Sequence, residues 1–223
     1  MNAPTTFNAR YHFAQFHDGR ADDLKSQATG PLTNPIEMGN TLTNVVKTVK
    51  KNNFYSVRFQ QLYKDGITMD NILDAIAQFE NALVTLSRFD EYLQGDKKAL
   101  RDVEVQGLEL FKSYGCIACH NGINIGGNLF QKLGIMKEYE GNSLGRYNVT
   151  KEEKDKKYFR VPTLRNINWT HSYLHDGSID QLDKCVQFMG EYQMGIKIPQ
   201  EDVQKIEFFL QSLTGKIPNV IEN

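Results

Sequence analysis

Apolar residues recur at helical spacing in several stretches of the chain. Residues 41–51 place Leu42, Val45, Val46 and Val49 on one face, and residues 69–85 repeat the pattern with Ile72, Ile76, Phe79 and Leu83. Thr68 precedes the second stretch as an N-cap. Residues 98–113 predict a third helix. Residues 179–190 predict another, with Leu182, Cys185, Val186 and Met189 on one face. The last covers 200–213, with Val203, Ile206, Leu210 and Leu213 inward and Gly215 as its stop. Residues 21–28 read as a short helix ended by Gly30-Pro31. Residues 31–35 read as a rigid loop, because Pro31 and Pro35 fix φ and remove donors; this loop delivers Glu37 and Met38. No repeat and no convincing strand alternation are present, so the expected fold class is mainly α. Residues 88–95 mark the boundary between two lobes, 1–92 and 93–223. The charged run 96–104 reads as a solvated helix face, and residues 137–157 as exposed.

Composition narrows the function classes. The 223 residues are 40% hydrophobic with a formal net charge of −1, enough for one or two cores and with no sign of a nucleic-acid surface. No apolar run reaches the ~18 residues needed to span a bilayer. The N-terminus Met1-Asn2-Ala3-Pro4-Thr5-Thr6 lacks the basic and apolar regions of a signal peptide.

The chemistry concentrates in Cys116-Ile117-Ala118-Cys119-His120, the Cys-x-x-Cys-His attachment pattern of a c-type haem. Two thiols three positions apart can add to the two vinyl groups of one haem, and His120 then supplies an imidazole nitrogen to the iron. Zinc would call for a second ligand pair, but the chain has one further cysteine, Cys185, which reads as a small buried apolar residue. A thioredoxin-like motif would need a βαβ setting that the pattern does not show. Asn121-Gly122 and Gly126-Gly127 suit loops passing close to a flat macrocycle. Because bacterial c-type haem is attached outside the cytoplasm, the motif implies a periplasmic protein whose export signal is not in this chain.

A haem held by one histidine has a second axial position, and its occupant separates electron transfer from catalysis. His12, His17, His171, His175 and the methionines are candidates. Met189 lies on the apolar face of a predicted helix, where an ordinary core methionine is the competing reading. Met194 follows a polar stretch and is the rival. Arg160 and Arg165 flank a proline turn and could pair with the haem propionates.

Several segments together resemble the bacterial dihaem cytochrome c peroxidases. They are Ala14-Gln15-Phe16-His17-Asp18-Gly19-Arg20-Ala21, then Gln27-Ala28-x-Gly30-Pro31 and Glu37-Met38. Further on come Val161-Pro162-Thr163-Leu164-Arg165-Asn166, Tyr173-Leu174-His175-Asp176-Gly177 and Phe188-Met189-Gly190. The resemblance covers essentially the whole chain. It implies two cytochrome c-like domains, an N-terminal one with a peroxidatic haem and a C-terminal one with a high-potential His/Met haem. By position it makes His120 and Met189 the axial ligands of the latter. It makes Gln27 and Glu37 residues of the peroxidatic distal pocket. It also implies a calcium ion held by the Asn2 side chain and the carbonyls of Thr170 and Ser172, an oxygen-only set that suits a hard cation.

Two departures bear on that reading. The family's first attachment motif and the histidine after it would lie upstream of Met1, so the chain is expected to be an incomplete peroxidase with one covalent haem site. The family's usual tryptophan before Asp-Gly-Arg is His17 here, which puts a polar, titratable group in its place. The implied function is reduction of hydrogen peroxide with electrons from a small donor such as a cytochrome c or cupredoxin, in a possible homodimer. The alternative is a monohaem His/Met electron-transfer cytochrome. A related enzyme of methylamine dehydrogenase maturation uses a tyrosine as distal ligand, and Met189 argues against it.

Overall fold

The computed structural model describes residues 2–222, the last of them by its backbone alone. The chain is mainly helical, as its periodicity predicts. Its helices are α1 (Leu24–Thr33), α2 (Leu42–Lys51), α3 (Asn53–Leu62), α4 (Met69–Ala82), α5 (Arg88–Leu93), α6 (Asp102–Ser113), α7 (Tyr147–Thr150), α8 (Leu182–Met194), α9 (Gln200–Gln211) and α10 (Asn219–Glu222). Two short strands, β1 (Phe130–Lys132) and β2 (Tyr158–Arg160), pair antiparallel with Phe130 opposite Arg160.

Local chemistry explains most helix starts. Asp23, Thr41 and Thr68 each accept a hydrogen bond from the backbone three residues on, which satisfies an otherwise orphaned N–H. The start of α1 is further held by the Ser26 hydroxyl. The first helix differs from its sequence reading. It begins at Leu24 and runs through Gly30-Pro31 to Thr33, so residues 31–33 are helix and not loop. Pro31 sits in the last turn, where its missing N–H removes only one helical bond. Asn34 then caps the helix through Gly30 O.

Three apolar clusters are buried among the described residues, the smallest being Ala9, Leu24 and Ala77. A second gathers Leu32, Val45, Phe59, Ile67 and Ile72 from α1–α4. The largest gathers Phe89, Leu108, Phe111, Leu182, Val186 and the inner face of α9. Val203, Ile206, Leu210 and Leu213 are all buried there, as their spacing predicts. Phe79 is not on the buried face expected for it; it is 48% exposed, while Ile72 and Leu83 are buried. Gly215 does not stop α9. The helix ends at Gln211 with Ser212 as its cap, and Gly215 instead lets the chain pass against Thr85, where a Cβ would lie 2.5 Å from Thr85 Cβ.

Helices α6 and α9 cross at Gly107. A Cβ there would lie 1.9 Å from Lys205 O, so only glycine permits this approach. The charged run before α6 is not wholly solvated. Glu104 is 0% exposed and receives Arg88 Nη2 at 2.6 Å, Arg101 Nη2 at 2.9 Å and Arg101 N at 2.8 Å. The side chain is buried because its own partners fold over it.

The N-terminal segment reaches across to the C-terminal half. Asn8 Nδ2 donates to Thr85 Oγ1 at 2.7 Å, Asn166 Nδ2 donates to the same oxygen at 2.9 Å, and Arg160 N donates to His17 O at 2.8 Å.

Candidate functional site

Helix α6 ends at Tyr114, and Gly115 turns the chain with φ of +84°. A single 3-10 turn, Cys116–Ala118, follows. Cys119 N and His120 N both donate to Cys116 O, at 3.2 and 3.0 Å. This turn puts both thiols and the imidazole on the wall of one cavity of about 450 Å³, within the size range of cofactor pockets. Phe111, Leu164, Leu182, Val186, Ile206 and Leu210 make much of that wall apolar.

The site residues respond to this burial. Burial lowers the pKa of His120 to about 4, against an opposing effect of the Ile125 and Pro162 backbones, so the imidazole is neutral at physiological pH. A neutral ring nitrogen is the form that binds iron. Burial pushes the Cys116 thiol up to about 11 and Cys185 to about 12. A thiolate redox pair would need the opposite shift. Cys185 is half-buried and lines the cavity, so the apolar role read for it is played at the cavity wall.

Helix α8 lines the same cavity. Met189 and Met194 both line the cavity, and Met194 also packs against the C-terminal cluster. His175 lines it too, stacked on Phe159 with ring centroids 4.1 Å apart. His171 is exposed.

Arg160 is 3% exposed and lines the cavity. Its Nε donates to Phe16 O at 3.1 Å, and its Nη1 has no hydrogen-bond partner. Burial lowers its pKa only to about 10, so it remains a cation. A buried, partly unpaired guanidinium on a cofactor-sized cavity is the observation that fits a haem carboxylate. Arg165 is differently placed. Its Nη1 and Nη2 grip Asp90 at 2.8 and 2.7 Å, its Nε donates to Ile123 O at 2.8 Å, and it is not among the cavity-lining residues.

Gly126 and Gly127 make close approaches, but to protein. A Cβ on Gly126 would lie 2.1 Å from Pro162 O, and one on Gly127 would lie 2.4 Å from His12 Cδ2. His12 and His17 both reach the cavity. His17 Nε2 is 3.0 Å from Asn2 O, and burial is the largest cause lowering its pKa to about 4. From sequence His12 and His17 are only candidate ligands; their place at the wall depends on a long-range fold that no local pattern encodes.

Asn2, Thr170 and Ser172 all line the cavity. The Asn2 amide donates to Ser172 O, and to Leu174 O at 3.2 Å. Gln27 and Glu37 lie apart from it. Gln27 is half-buried on α1 and Glu37 is exposed in the turn beyond, its N–H donating to Asn34 O at 3.0 Å.

A family model described as di-haem cytochrome c peroxidase matches residues 1–98. Over 223 residues the chain is 46% identical to the cytochrome c551 peroxidase of Nitrosomonas europaea, covering 98% of this chain and 67% of that protein. The chain belongs to the dihaem cytochrome c peroxidase family. It is also 43% identical to the cytochrome c peroxidase Ccp of Escherichia coli, over 96% of this chain and 48% of that protein. With the cytochrome c551 peroxidase of Pseudomonas aeruginosa it shares 42% identity, over 98% of this chain and 66% of that one. The chain thus spans from about half to about two thirds of these relatives' lengths. In fold it matches a MauG-like protein associated with microbial copper homeostasis, with a TM-score of 0.84 at 23% identity, over 96% of this chain and 75% of that one. The diheme peroxidase BthA from Burkholderia thailandensis matches with a TM-score of 0.79 at 19% identity, over 96% and 72% of the two chains. Membership of this family makes haem c the cofactor. These relatives carry peroxidase names, so a stand-alone monohaem carrier is not the favoured reading.

Proposed function

We propose that this chain carries the electron-accepting haem of a peroxidase that reduces hydrogen peroxide to water. The observation that carries the reading is one apolar cavity lined together by Cys116, Cys119, His120, Met189 and the buried, partly unpaired Arg160 cation. Cys116 and Cys119 would hold the haem covalently, His120 and Met189 would be its axial ligands, and Arg160 would pair with a propionate. Haem supplies one-electron redox chemistry when bound, and thioether ligation raises its potential, which suits an acceptor. In this reading residues 93–223 form the electron-transfer domain and residues 1–92 the later part of the peroxidatic domain.

An iron closed by His120 and Met189 has no position for peroxide. Gln27 and Glu37 would therefore act at the family's second haem. Glu37 would carry a proton from one peroxide oxygen to the other, and Gln27 would orient peroxide by hydrogen bonding. Ile36 and Met38, on either side of Glu37, are 83% and 65% exposed, apolar surface that a macrocycle would cover. The donor is a small electron-transfer protein such as a cytochrome c or cupredoxin, and the compartment is the periplasm. Among the described residues no helix is long and apolar enough to cross a membrane. Calcium would sit at the Asn2 corner. Turned over, the Asn2 amide would present oxygen beside Ser172 O, with Thr170 O as a further donor, a set that suits a hard cation.

The test is steady-state peroxide reduction with a reduced small cytochrome. In a protein carrying both haems, Glu37→Gln should lower kcat by ~10²–10⁴-fold while the potential of the haem at His120 stays unchanged. This chain, with its one haem, should take up electrons from the donor without turning over peroxide. Undiminished turnover in Glu37→Gln would remove Glu37 from catalysis, and rapid turnover by the one-haem chain would make the haem at His120 the catalytic centre.

A further inference from the structure

His12 is a further buried polar group on the same cavity. It is 7% exposed, and neither Nδ1 nor Nε2 makes a hydrogen bond of good geometry; Gln15 lies near enough to favour the imidazolium but gives its amide to Ala9 O. Its place is fixed by backbone packing. His12 N donates to Ala9 O at 3.1 Å, Phe13 N donates to Gly127 O at 3.0 Å, and the bare Cα of Gly127 lies against the ring. Buried polar groups nearly always have partners. Of the three residues on this cavity that lack them, His120 is the proposed iron ligand, which leaves His12 and Arg160 Nη1. Both can donate to an anion, and a haem carries two carboxylates.

The other side of His12 is polar. A second cavity of about 360 Å³ is lined by His12 together with Arg10, Asp22, Asp23, Lys25 and Asp74. His12 therefore lines both the cofactor cavity and a chamber rich in carboxylates. Gln15, which also lines that chamber, spends its amide on Ala9 O at 3.0 Å.

We propose that His12 is a haem-carboxylate ligand that couples reduction of the haem at His120 to uptake of one proton from the polar chamber. This rests on the haem reading of the cavity. The balance is simple: one electron arrives from the small donor protein, one proton arrives from water, and both leave on reoxidation. The charged groups around His12 set the direction. Without the carboxylate, burial first and the Arg160 cation second hold its pKa down at about 3, Gln15 opposes them, and His17 adds to the lowering. A propionate within hydrogen-bond reach favours the imidazolium instead. Asp22, Asp23 and Lys25 at the start of α1, Asp74 on α4 and Arg10 line the polar chamber with His12, carboxylates outnumbering cations there. Reduction removes one positive charge from the iron site, so His12 binds its proton more tightly in the reduced protein.

The experiment is redox titration of the haem-loaded protein across about pH 5 to 8, where histidines titrate. The wild-type potential should fall as pH rises, and His12→Asn should flatten that dependence and lower the potential at the acid end. A His12→Asn protein that attaches haem and keeps the wild-type slope overturns the proposal. If that variant fails to mature, the His12 ring is followed by NMR in the wild type. A higher pKa in the reduced state supports the coupling, and equal values in both states overturn it. Haem content by pyridine haemochrome separates the two layers of the argument. A wild-type protein that attaches no haem defeats the haem reading and this proposal with it, whereas attached haem with a flat wild-type slope defeats this proposal alone.

Discussion

Glu104 shows how a single residue can escape a sequence reading. Its neighbours in the run 96–104 are charged, and nothing local separates a buried member from a solvated one. What buries it is Arg88, sixteen positions away on α5, closing over it with Arg101. Desolvation would raise its pKa, but the hydrogen bonds from Arg88 and Arg101 prevail and hold it at about 2. The folded value lies below the unfolded one. The stabilisation is therefore present above the ordinary carboxylate range and is lost as pH falls from about 4.5 toward about 2. Glu104→Gln should remove this part of the acid dependence, as read by denaturant midpoints at a series of pH values. Asp90 is a second case of the same sign, its carboxyl held low by Arg165 and Ser87 against the cost of burial. Asp90→Ala strands the buried Arg165 cation, at a cost of ~3–5 kcal/mol by equilibrium unfolding. Cys116, Cys119 and His120 were legible because their chemistry is written in their spacing. His12 was not, because its meaning depends on Arg160, which only the fold brings to the same cavity.

At the scale of elements, helices with one clear apolar stripe were legible to within a few residues. The placement of α2 and α4 holds, with Thr68 as the cap of α4, although Leu42 and Phe79 from their predicted inner faces are exposed. Helix α3 was missed. Its apolar residues point several ways, Phe59 being buried while Phe54, Val57 and Leu62 are 63%, 46% and 75% exposed. Such a helix leaves no single periodic face to read. The junction that positions the haem motif is α6 against α9, set by Gly107. Gly107→Ala would push a methyl into the Lys205 carbonyl, and overpacking of this kind costs ~1–3 kcal/mol or more. The loss should appear as a lower unfolding midpoint and as reduced haem retention at His120, because α6 leads directly into Cys116.

At the scale of the whole molecule, the N-terminal segment is built into the C-terminal half. Thr85 is the hub: its hydroxyl receives Asn8 and Asn166, its N–H donates to Asn8 Oδ1 at 3.0 Å, and Asn166 Oδ1 receives Gly215 N at 2.9 Å. Thr85→Val keeps the shape and leaves two buried amides short of an acceptor, which should cost ~1–3 kcal/mol each in stability. Differential scanning calorimetry would show the loss. The same tie carries His12, His17 and Asn2 to the cavity wall, so the cavity is assembled from both halves of the chain. The claim on which this assembly depends is that His120 and Met189 close one covalently held haem iron. The most direct measurement is the sulfur-to-iron absorption band and reduction potential of the haem-loaded chain, compared with those of Met189→Ala. Loss of the band together with a fall in potential is the result expected. An intact band and an unchanged potential in Met189→Ala, with both lost in Met194→Ala, would contradict the assignment.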